Sequence, residues 1–98
     1  MENVIKDFRT FNIGLPMVGG FVLIRVDAGK EREVYNGLNN MKEVKGIQMV
    51  FGHYDIIARL ESNDLNELSE IVLERIRNIE GVSTTTTLIA SEGEEESL

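Results

Sequence analysis

The sequence predicts an α+β fold in the order βαββαβ, a four-stranded antiparallel sheet with two helices on one face. Two β-rich runs, residues 47–51 and 56–60, are joined by Gly52-His53-Tyr54-Asp55, the makings of a hairpin. On each side of that hairpin lies one strand pattern and one helix pattern, which gives the split β-α-β arrangement. The 98 residues are 42% hydrophobic, enough for one small domain with a core of its own.

Residues 1–18 read as an N-terminal arm. Phe8, Phe11, Ile13 and Leu15 alternate loosely, which fits either an extra edge strand or a partly ordered arm; Pro16 would break strand pairing. The stretch Gly14-Leu15-Pro16-Met17-Val18-Gly19-Gly20 lacks the Gly-Lys-Ser/Thr ending of a phosphate loop and reads as a flexible joint. The domain proper is expected over residues 19–90. Its first strand is Phe21 to Val26, with Val22, Ile24 and Val26 on one face and Phe21, Leu23 and Arg25 on the other. A helix over Lys30–Met41 follows, with Val34, Leu38 and Met41 on its apolar stripe.

In the hairpin, Ile47, Met49 and Phe51 form one face of the second strand, and Gln48 and Val50 the other. Ile56, Ala58 and Leu60 face inward from the third strand, and Asp55, Ile57 and Arg59 outward. Asp64 and Glu67 have capping-box spacing. Leu65, Leu68, Val72, Ile76 and Ile79 then mark the second helix, which Gly81 stops. The last strand runs from Val82 to Ala90, with Val82, Thr84, Thr86 and Leu88 on one face and Ser83, Thr85, Thr87 and Ile89 on the other. Residues 91–98, with four glutamates, read as an acidic disordered tail.

With both helices on one face, the other face of the sheet is left open. Strict alternation assigns to it Phe21, Leu23, Arg25, Val50, Ile57, Arg59, Thr85, Thr87 and Ile89. That mixture is too apolar for solvent and too polar for a core, and predicts sheet-to-sheet dimerisation about a two-fold axis.

The composition excludes several function classes. The formal net charge is -7 and no basic face is visible, against direct nucleic-acid binding. No apolar run approaches the ~20 residues that span a bilayer. The lack of cysteine rules out disulfides and thiolate metal sites and suits the cytoplasm. His53, the one histidine, has no nucleophile placed beside it by any readable spacing, so no catalytic residue is assigned. With Asp55 it supplies at most two metal ligands, too few for a site, and no cofactor motif appears. Thr85 and Thr87 have hydroxyls that fit either a polar ligand or packing across a dimer.

Several stretches together carry a resemblance: residues 21–26, Gly29 to Val34, Gly52-His53-Tyr54-Asp55, Asp64-Leu65, Ile79-Glu80-Gly81-Val82, and Thr85 to Thr87. From about Val18 to Ala90 the chain resembles the effector-binding domain of the leucine-responsive regulatory protein/AsnC family. The resemblance implies a ferredoxin-like αβ sandwich and dimers formed through the sheets, with dimers assembling into an octamer or similar ring. It also implies an amino-acid effector held near Gly52, His53, Tyr54 and Asp55, with Thr85 and Thr87 matching the family's paired threonines.

In that site Asp55 would pair with the ligand's ammonium, while turn N–H groups and threonine hydroxyls receive its carboxylate. The competing role for Asp55 is structural, capping backbone N–H groups. About 20 residues precede the first strand, too few for the family's helix-turn-helix. The expectation is therefore a stand-alone sensing module that modulates transcription by co-assembly with a full-length relative. Two alternatives are a small dimeric αβ-barrel enzyme of monooxygenase or isomerase type, using His53 and Tyr54, and a structural oligomer without a ligand.

Overall fold

The computed structural model describes residues 17–90; the expected acidic tail and most of the arm lie outside them. Strand β1 (Val18–Val26) leads into helix α1 (Glu31–Asn39), followed by β2 (Val44–Met49) and β3 (Ile56–Ser62). Helix α2 (Leu65–Glu70) continues as a π-helical stretch (Ile71–Ile76), and β4 (Val82–Ile89) closes the fold. The sheet is antiparallel with strand order β2-β3-β1-β4, as the βαββαβ pattern requires.

The core forms where the alternation and the helical stripes meet. Val22 and Ile24 of β1, and Ile56, Ala58 and Leu60 of β3, are fully buried against Val34 and Leu38 of α1 and Leu68 and Ile76 of the second helix. Asp64 caps that helix as its spacing predicts, accepting the Glu67 N–H at 2.8 Å. The Glu67 side chain reaches back to the N–H of Asn63 at 2.9 Å, so two N-terminal donors are satisfied. Leu65 departs from the expected stripe and is half exposed, because it opens the helix ahead of the part packed on the sheet.

Three further expectations change. The joint is shorter, because Gly19 and Gly20 lie inside β1, opposite Glu61 and Leu60 of β3. A Cβ at Gly20 would come within 2.9 Å of the Leu88 carbonyl oxygen and 3.2 Å of Leu68, so glycine there permits close packing. Next, β2 ends at Met49, and Phe51 stands fully exposed instead of facing the core. Finally, the register between β1 and β4 slips between Arg25 and Val26. Val82 pairs with Val26, but Thr84 pairs with Arg25, Thr86 with Leu23 and Leu88 with Phe21.

This slip is a bulge at Ser83, and one extra residue reverses the facing of everything beyond it. Thr84, Thr86 and Leu88 therefore share the open face with Phe21, Leu23 and Arg25. Thr85 and Thr87, expected there, lie opposite Ile24 and Val22 on the helix side, and Ile89 with them.

Candidate ligand site at the hairpin tip

The chain between β2 and β3 turns at Gly52, whose φ of +121° belongs to the region that favours glycine. Nothing lies within 4 Å of a Cβ built there, so backbone conformation and not space selects the residue.

Asp55 fastens the turn to the sheet. Its N–H donates to the Ile24 carbonyl at 2.9 Å, and its own carbonyl accepts from the Val50 N–H at 3.0 Å. Its carboxylate Oδ2 accepts the N–H of Val26 at 2.7 Å, beside the bulge where regular pairing is interrupted. This is the capping role weighed as the competing reading of Asp55, and the residue is half-buried.

Two more contacts hold the tip down. Arg25 donates through Nη1 to the carbonyl of His53 at 2.7 Å, a contact between residues 28 positions apart. The Tyr54 hydroxyl and the Thr86 Oγ1 are 3.1 Å apart, either one able to donate. His53 takes part through its backbone, and its side chain is exposed.

The structure thus brings Gly52, His53, Tyr54 and Asp55 together at one end of the open face. Thr85, half-buried, and Thr87, exposed, are not beside Tyr54. Their place is taken by Thr84 and Thr86, which the Ser83 bulge turns to that side. Arg25 and Thr86 are the contacts that sequence reasoning missed. Strand alternation puts Arg25 on the correct face, but nothing local announces a bond to a carbonyl so distant in the chain. Among the described residues no group of three or more His, Asp or Glu side chains could hold a metal ion. No helix among them is long and apolar enough to cross a membrane.

Along the open face the tip gives way to an apolar stretch. Phe21 and Leu88 face each other across β1 and β4, 39% and 50% exposed, and half-buried Leu23 and Ile57 pair one alternation nearer the tip. Such a sheet, with polar groups gathered at one hairpin, defines a small αβ binding domain. The chain belongs to the Lrp/AsnC ligand binding domain family, whose model matches residues 20–96. That is a family of regulators' domains, not of enzymes, which removes the monooxygenase or isomerase alternative.

The chain is 33% identical over 92 residues to an uncharacterized HTH-type transcriptional regulator of Pyrococcus abyssi, a match covering 90% of this chain and 58% of that protein. The chain therefore spans little more than half the length of that relative. Among solved structures, a hypothetical protein from Pyrococcus horikoshii is 39% identical with a TM-score of 0.71, the match covering 80% of this chain and 95% of that one. A Neisseria meningitidis transcriptional regulator solved as a complex with L-Met has a TM-score of 0.73 over 92% of this chain and 63% of its own. At 16% identity that likeness is one of fold alone.

Proposed function

We propose that this domain is an amino-acid sensor whose ligand docks at the hairpin tip formed by Gly52, His53, Tyr54 and Asp55. Its open faces pair into dimers, and the dimers assemble into rings. The observation that carries the proposal is the division of the open face. One end is a braced polar tip, and beside it runs an apolar strip that the described residues leave partly exposed. Exposed apolar surface rimmed by polar groups is what an assembly interface needs. Family membership supports the ligand, and the L-Met complex of the Neisseria regulator suggests its chemical class.

The ligand's ammonium is assigned to the Asp55 carboxylate, which has a second oxygen beyond the one held by Val26. Thr85 and Thr87 contribute only to a ligand that reaches β4 from the helix side. The Pyrococcus horikoshii chain, matched over 95% of its length, supports a module able to work as a stand-alone unit in the cytoplasm. It would act on transcription by co-assembling with a full-length relative, without touching nucleic acid itself.

The test is a melting screen against the standard amino acids. A ligand that binds only the folded state raises the midpoint, and the proposal expects one or more to do so at millimolar concentration. A flat screen overturns the sensor and leaves a structural oligomer.

A further inference from the structure

Arg25 stands exposed on the open face, and its guanidinium is oriented by the bond from Nη1 to the His53 carbonyl. A guanidinium has five donors in a planar fork, and among the described residues Nε and Nη2 of Arg25 have no hydrogen-bond partner. Thr84 sits directly across from it on β4, and the paired Tyr54 and Thr86 hydroxyls lie one alternation further along the same face. The Asp55 carboxylate rests on the N–H of Val26, the residue after Arg25. Among the described residues no carboxylate lies within ion-pair distance of Arg25, while Arg59 and Arg75 each have one.

We propose that Arg25, with the hydroxyls of Thr84 and of the Tyr54–Thr86 pair, forms a carboxylate-binding subsite. It receives the α-carboxylate of the ligand, and so rests on the amino-acid reading above. A planar fork matches a carboxylate through two parallel hydrogen bonds. Because the His53 carbonyl already orients the group, less side-chain freedom is lost on binding. Thr84, and whichever of Tyr54 and Thr86 accepts in their mutual bond, can donate to the same anion. With the Asp55 carboxylate held on the N–H of Val26, the residue after Arg25, the tip offers one cation and one anion that are not paired with each other, the complement of a zwitterion. This assigns the carboxylate to a side chain of β1, where the turn N–H groups and Thr85 and Thr87 were expected to receive it.

The test is calorimetry on the full chain with L-methionine and with L-methioninamide, which keeps the ammonium and lacks the carboxylate. The wild-type chain should bind L-methionine at least about tenfold more tightly, as expected for a charge-assisted bond. Arg25→Gln should weaken L-methionine by a similar factor and leave L-methioninamide unchanged. Equal affinity of the wild type for the two compounds overturns the subsite whether or not the variant folds, as does an equal loss for both in Arg25→Gln.

If neither compound binds, acetate followed by NMR at the arginine Nε–H and the Thr84 and Thr86 amides separates the two claims. Saturable shifts that vanish in Arg25→Gln keep the anion subsite while methionine falls as its ligand. Absence of saturable shifts overturns the subsite, while the amino-acid reading stands or falls on the melting screen.

Discussion

The two faces of this sheet are built from alternate residues of the same strands, yet they are put to different uses. On the helix side, Val22, Ile24, Ile56, Ala58 and Leu60 are all fully buried, and their contacts are spent on folding. On the open side, Phe21, Leu23, Ile57 and Leu88 are only partly covered, and Arg25, Tyr54, Thr84 and Thr86 cluster at one end. The comparison teaches that the helix side determines whether the chain folds. The open side contributes less buried surface to folding, which leaves it available for the recognition proposed above.

Substitutions on the two faces should therefore separate. Leu60→Ala, on the helix side, should show the largest effect on stability, a loss of about 2–5 kcal/mol in urea unfolding from lost burial and the cavity it leaves. A loss below that range would mean the helices pack loosely on β3. Asp55→Ala comes next. It strips the Val26 N–H of its acceptor and should cost about 1–3 kcal/mol, with any loss of ligand affinity added to that. Full stability with weakened binding would restore the view of Asp55 as a solvated ligand group.

The smallest effect concerns Glu43, between α1 and β2, whose Oε2 accepts from Arg75 at 3.0 Å. Burial pushes its carboxyl pKa up, but a hydrogen bond from its own backbone and the bond and charge of Arg75 outweigh that and leave it below the ordinary 4.5. A depressed carboxyl stabilises the fold above its unfolded-state value, and that stability is lost as the pH falls through the folded-state value. Glu43→Gln should lower the melting midpoint near neutrality and flatten its fall below 4.5. Parallel acid profiles for the two proteins would show that the pair contributes nothing.

The sequence made the helix side legible because its signals are redundant. Val22 and Ile24 alternate with less buried neighbours, Val34 and Leu38 recur at helical spacing, and the Asp64–Glu67 cap fixes where the second helix starts. The last strand offered no such signal. Ser83 to Thr87 are similar small hydroxyl residues, so a bulge among them leaves no mark in the pattern, and the facing beyond Ser83 was read inverted. At the tip, the Gly-x-Tyr-Asp turn was visible as a turn. Its bracing was not, because Arg25 to His53 and Tyr54 to Thr86 are bonds between residues 28 and 32 positions apart. Phe51 followed the alternation on paper, but β2 stops before it.

The central claim is that the open face is an interface, and sedimentation equilibrium of the wild type and of Leu23→Asp tests it most directly. Leu23 lies on that face between Ile57 of β3 and Thr86 of β4, so the substitution leaves the buried core intact and puts a charge where a partner sheet would exclude water. The account predicts a wild-type mass of at least twice the 11.0 kDa chain at micromolar concentration, and a folded Leu23→Asp variant at the mass of one chain. A wild type that sediments as a single chain, or a variant that keeps the full assembly, would contradict it.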